Sequence, residues 1–269
     1  MTTSMRRAGL AACAAIALLG LSCAAITRGD FNLISLQQEW QLGQQLERDI
    51  AQQLRLVNDA SITGYVDQLG RRLVAQTQLR ELPWKFHVVA DPRINAFNVP
   101  GGHVYVHTGL IAAADDVAQL AGVMGHEIAH GAERHATEQL SRAYGLNILA
   151  GVVLGQNPPV YQQILAQIVG SGGMAKFSRE AERQADELGV QYMYRAGYDP
   201  RGLVRIFQKL LAQRRSQPGS VARFFATHPL TESRIRTIEQ QIAGLPAKPG
   251  LISRDSAYQN VRREVGRYH

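Results

Sequence analysis

Apolar residues recur at helical spacing from Leu36 through Trp40, Leu42, Leu46 and Ile50 to Leu54, which predicts an amphipathic helix over 35–57. A second run predicts a helix over 59–76, with Asp59 or Ser61 as its cap. The period then shortens to two. Trp84 to Val89 alternates and is rich in β-formers, Ala96 to Val99 reads as a short extended piece, and His103 to His107 alternates again. Asp91-Pro92 and Pro100-Gly101-Gly102 mark turns between these pieces. From Asp115 onward the pattern is helical. Helices are expected from 115 to about His135, over 138–154 and 159–170, from the Ser178 cap to about Arg195, and over 200–214 and 231–243. The fold class is α+β: mainly helical, with a small sheet before the helix at 115–135. Trp40 and Trp84 read as core.

A chain of 269 residues with 45% hydrophobic content can bury a core in one or two domains. Two cysteines are too few for a disulfide scaffold. The formal charge of +7 comes from scattered basic residues, with no five-residue Lys/Arg cluster and no aromatic-interleaved stripe. That is a solvated basic surface, and no nucleic-acid partner is expected.

The first 23 residues read as an export signal. Arg6 and Arg7 precede an apolar run from Ala8 to Leu21, which is short for a membrane span. Ser22-Cys23-Ala24 suits ordinary cleavage, whereas Leu-Ser-Cys at 21–23 suits a lipoprotein-type site despite Gly20. Cys23 would be the one cysteine left after export, which favours lipid attachment at Cys23. The expected layout is a signal at 1–23, a catalytic domain at 24–250 and a solvated basic tail at 251–269, including Arg262, Arg263 and Arg267.

The chemistry centres on His126-Glu127-Ile128-Ala129-His130. Histidines four apart share one face of a helix, so both imidazoles can reach one metal ion. Glu127 then lies beside the ion as a candidate general base, and zinc would bring the pKa of a bound water towards ~7. By chance the pattern arises in about one such chain per hundred, so its surroundings matter. Glu182 and Asp186 are again four apart, on the helix predicted from Ser178. Glu182 can supply a third ligand, and Asp186 can orient a ligand imidazole. The competing reading is a surface ladder with Arg179 and Arg183.

Four blocks resemble the HtpX-like and CAAX-prenyl-endopeptidase family of gluzincin zinc metallopeptidases, in its periplasmic, often lipoprotein, branch. They are Asn95-Ala96-Phe97-Asn98-Val99-Pro100-Gly101-Gly102; Gly125-His126-Glu127-Ile128-Ala129-His130; Phe177 to Asp186; and Thr227-His228-Pro229 with Arg234. The resemblance implies a zincin-type core, one zinc per chain held by His126, His130 and Glu182, and Glu127 as general base. It also implies a peptide substrate docked as an added β-strand along 94–107, at Asn95, Ala96, Phe97, Val104 and Val106.

The resemblance further implies that the His228 loop lies over the site. His228 would then plug the metal, donate to the oxyanion, or be an ordinary loop residue between helices, and Arg234 would anchor the loop or assist the same charge. The expected activity is a metalloendopeptidase of the cell envelope acting on misfolded or membrane-associated proteins, lipid-anchored with the outer membrane favoured. A chaperone-like assembly factor that rarely cuts is the rival. A structural zinc module would favour a cysteine-rich site, which this chain lacks. His103 and His107 read as a strand face, His87 as strand surface or core, and His135 as pointing off the zinc face.

Overall fold

Side-chain caps start the main helices where the sequence pattern puts them. In the computed structural model, which describes residues 31–174 and 176–269, α1 (Leu36–Gln53) opens with a reciprocal capping box between Ser35 and Gln38. Asp59, rather than Ser61, caps α2 (Ala60–Val74). The expected signal segment with Cys23 lies outside the described residues.

Three strands follow: β1 (Lys85–Val89), β2 (Ala96–Val99) and β3 (His103–His107). Their order is β1-β3-β2, with β1 parallel and β2 antiparallel to β3. Gly101 and Gly102 make the β2–β3 turn at φ +85° and +79°, where L-residues are strained. This turn presses on α1. A Cβ added at Gly43 would lie 2.2 Å from the Pro100 carbonyl oxygen, so α1 can approach only because residue 43 is glycine.

The sheet divides two apolar clusters. Phe86, Val88, Ala96, Val104 and Val106 pack with α2 and α4 (Val117–Ala132). Val89, Phe97, Val99 and Tyr105 pack with α1, α5 (His135–Val153) and α6 (Pro158–Ser171). Asp116 caps α4, and every residue of α4 except Gly131 is buried. A short α3 (Thr108–Ala113) leads into it.

The expected helix to His135 breaks earlier. Arg134 adopts the left-handed region at φ 57° and α5 starts at once. Hydrogen bonds hold this strained residue in place: Arg134 Nε donates to Glu39 at 2.6 Å and Nη2 to the Ile34 carbonyl at 2.8 Å. Gly145 then kinks α5 at φ 71°.

Beyond α6 come α7 (Arg179–Ala196), α8 (Arg201–Ser216), α9 (Pro218–Thr227), α10 (Glu232–Ala243) and α11 (Ser256–Glu264). Two expectations fail here. The segment before His228 was read as loop, yet α9 runs to Thr227, started by Pro218 at its first turn. Residues 251–269 are not a solvated tail. Tyr258, Val261 and Val265 enter the main core, and the Tyr258 hydroxyl donates to the Ile111 and Ala114 carbonyls. That apolar stripe is hidden in the sequence by its charged neighbours. Trp84 is core as expected, but Trp40 is 38% exposed. No helix among the described residues is long and apolar enough to cross a membrane.

Candidate metal centre

Two helices bring the chemistry together because glycine lets them touch. Gly125 on α4 faces Gly189 on α7, and a Cβ at Gly189 would lie 3.1 Å from the His126 backbone nitrogen. One α-helical face carries Glu182, Asp186 and Gly189, so the close crossing delivers both carboxylates to His126. His130 Nε2 lies 3.1 Å from His126 Nε2 and 3.4 Å from Glu182 Oε1, and His126 Nε2 lies 3.7 Å from Glu182 Oε2. A tetrahedral ion with bonds of 2.0–2.2 Å keeps its ligand atoms about 3.4 Å apart. Two buried imidazoles and a buried carboxylate at this spacing suit a zinc-class ion.

The surroundings orient each donor. Asp186 Oδ1 lies 3.0 Å from His126 Nδ1, so the Nε2 side is turned to the centre. His135 stays off the ligand cluster, as expected, and its Nδ1 lies 2.9 Å from His130 Nδ1, behind that ring, where the break at Arg134 places it. The protons along this line can be assigned. Glu133 accepts from the Gln184 amide nitrogen at 2.7 Å, which turns the Gln184 oxygen towards His135 Nε2 at 3.2 Å. His135 Nε2 must therefore donate. Burial lowers the His135 pKa, so the ring is neutral and its Nδ1 accepts from His130. That leaves the His130 Nε2 lone pair facing the centre. Phe177 stacks on the His130 ring at 4.1 Å between centroids.

Glu127 is fully buried beside the ligand atoms, and burial pushes its pKa up. Asn98 holds it: its Nδ2 donates to the Glu127 carbonyl at 3.1 Å and to Oε2 at 3.2 Å. Asn98 lies in the first of the four resembling blocks, and this role for it was not among the expectations. The signal was the alternation of β2, which puts Asn98 and Ala96 on the face turned to α4.

The other expected site residues divide. His228 caps the C-terminus of α9, fully buried. Its Nδ1 lies 3.0 Å from Glu182 Oε1 and 3.3 Å from His126 Nε2, and its Nε2 lies 3.2 Å from Glu127 Oε1. It thus joins the same ligand cluster as a fourth donor. Arg234 donates to both Asp186 oxygens, to Glu182 and to the Pro229 carbonyl. It ties the third-ligand helix to the His228 loop.

The expected substrate strand needs correction. Val104 and Val106 lie on β3, which is paired on both sides and cannot accept another strand. Asn95 and Phe97 side chains are also committed, Asn95 to the Gly172 carbonyl and Phe97 to a stack on Tyr105. Only the outer edge of β2, at Ala96–Val99, remains among the expected positions.

A helix-borne His-Glu pair, a second histidine one turn on and a carboxylate from a crossing helix define a metallopeptidase site. Residues 60–242 match the model of peptidase family M48, and the chain belongs to that family. The family resemblance read from the four blocks therefore holds, and a metal cofactor follows from it. The chain is 32% identical over 250 residues to the beta-barrel assembly-enhancing protease of Escherichia coli K12, covering 88% of this chain and 50% of that protein. The Yersinia pestis protein of that name is 31% identical over 242 residues, covering 85% and 49%. Mitochondrial metalloendopeptidase OMA1 of Schizosaccharomyces pombe is 29% identical over 216 residues, covering 79% and 64%. The chain spans about half the length of the bacterial relatives it matches.

Proposed function

We propose that the protein is a zinc-dependent metalloendopeptidase of the bacterial cell envelope, hydrolysing misfolded or misassembled envelope proteins. The observation that carries this reading is the joint placement of His126, His130 and Glu182 beside a buried Glu127 that Asn98 holds in position. Zinc held by those three residues would supply the Lewis acidity that the attacking water and the scissile carbonyl both need. Glu127 Oε1 takes the proton of the attacking water and passes it to the leaving amine. Its raised pKa brings it closer to the working pH, which suits a group that must both accept and release a proton. Asp186 and His135 keep the ligand imidazoles in the right tautomer.

His228 stands in the way of this chemistry. Its Nε2 lies against Glu127 Oε1 and its Nδ1 among the ligand atoms, so water and substrate can enter only when it leaves. This geometry favours the plug over oxyanion donation. His228→Ala should raise basal proteolysis, and a fall of ~10²-fold in turnover with zinc retained would instead support the oxyanion role. Among the described residues no strand pairs with the outer edge of β2, so an extended peptide that displaced what covers Ala96–Val99 would add there by backbone hydrogen bonds, with little sequence selectivity. The names of the bacterial relatives support envelope clients. Lipid attachment at Cys23 would hold the enzyme at the membrane, and mass spectrometry of the mature N-terminus tests it: an unmodified terminus beyond residue 23 rejects the anchor. The test of the whole reading is casein cleavage and metal content for wild type and Glu127→Gln. Wild-type cleavage by the Glu127→Gln protein would overturn it.

A further inference from the structure

The sheet face opposite α4 carries a second group of metal-type donors. In register on β1 and β3, Lys85 pairs with His103 and His87 with Tyr105, so His87, His103 and Tyr105 project to the same side. Glu47 comes down on them from α1. His87 Nε2 lies 3.5 Å from Glu47 Oε1, His103 Nδ1 lies 3.7 Å from Glu47 Oε2, and the three donor atoms all lie within 4.8 Å of one another.

Hydrogen bonding alone leaves this group unsatisfied. His103 is 1% exposed, yet among the described residues neither of its ring nitrogens has a hydrogen-bond partner, and His87 Nε2 is also buried without one. A buried nitrogen left without a partner is destabilising, and here two of them, His87 Nε2 and His103 Nδ1, face one carboxylate. A single ion would satisfy one nitrogen of each ring. Burial lowers the pKa of both imidazoles, that of His103 to about 4, so their lone pairs are free at neutral pH. A cation already sits at the carboxylate: Lys85 Nζ donates to Glu47 Oε2 at 2.6 Å. The Lys85 side chain is 49% exposed and can withdraw into water when a stronger charge arrives.

We infer that Glu47, His87 and His103 form a second binding site for a zinc-class divalent metal ion. Two imidazoles and one carboxylate match zinc in donor type, and an ion with bonds of 2.0–2.2 Å needs the donor atoms drawn in to about 3.4 Å. The two His–Glu47 distances are 3.5 and 3.7 Å and no donor pair is farther apart than 4.8 Å, so side-chain adjustments of about an ångström would close the set. The ion would pin α1 to β1 and β3, so its effect is on stability and metal count rather than on the hydrolytic step.

The test strips the full-length protein of metal, returns zinc, and counts bound zinc per chain by mass spectrometry. Wild type should retain two zinc ions. Glu47→Gln and His87→Gln should each retain one and still cleave casein, which shows that the fold and the α4 centre survive. The second equivalent should raise the melting temperature of wild type and leave that of both variants unchanged. A wild-type stoichiometry of one, as a bridging water in this pocket would give, overturns the site. So does a second equivalent that both variants keep.

Discussion

The two faces of the sheet meet their helices on different terms. On the α4 face, Asn98 reaches Glu127, and each ligand imidazole has a dedicated neighbour behind it: Asp186 for His126 and His135 for His130. On the α1 face, His103 and His107 are equally buried, but among the described residues neither has a hydrogen-bond partner at a ring nitrogen. The donor types are nearly the same on both sides. The difference lies in the second layer of partners, which orients the α4 donors at separations of 3.1, 3.4 and 3.7 Å. Glu47, His87 and His103 stand at 3.5 and 3.7 Å, with Lys85 behind the carboxylate and no comparable partner behind either ring among the described residues. A centre used for catalysis must be set before substrate arrives, and a structural clip can close on its ion.

That contrast can be broken in graded steps. The largest effect is expected from Glu127→Gln, which should lower casein turnover by ~10²–10⁴-fold with zinc content unchanged by metal analysis. Next is His135→Phe, which removes the acceptor behind His130 and should weaken zinc binding at the α4 centre ~10–100-fold in a competition titration. The matching change on the other face, His107→Phe, should leave that affinity where it is. Gly43→Ala puts a methyl group into the Pro100 carbonyl and should lower stability by ~1–3 kcal/mol in urea unfolding. The smallest effect is expected from Arg183→Ala. Its pairs with Glu180 and Glu187 are exposed, so stability should change by about 0.5 kcal/mol or less and zinc content should not change.

The helix-borne part of the centre was legible because it depends on local spacing. His126, Glu127 and His130 share one helix, and Glu182 and Asp186 another, so period alone brings each set to one face. What needed the structure was whatever depends on a break in that period. The contact of His135 with the back of His130 depends on Arg134, a residue whose left-handed conformation is held by Glu39, 95 positions away. Strand order was illegible for a similar reason. Nothing local tells that β3 is central, so Val104 and Val106 read as an available edge. The C-terminal residues were judged on net charge, although Tyr258, Val261 and Val265 form a buried stripe at helical spacing.

The turn at Arg134 also sets how this protein can change length. Its left-handed residue leaves no slack between the end of α4 at Ala132 and the start of α5 at His135. Each residue added to or removed from a helix swings the following side chains by about 100°. An insertion or deletion here would therefore carry His135 off His130 while leaving every ligand in the sequence. The connection from Leu154 to Asn157 sets no side chain of the metal centre: Leu154 is exposed and a Cβ at Gly155 would meet nothing within 4 Å. Length variation among functional versions of this chain should accumulate at 154–157 and be purged at 132–135, even where substitutions at the two places are equally mild.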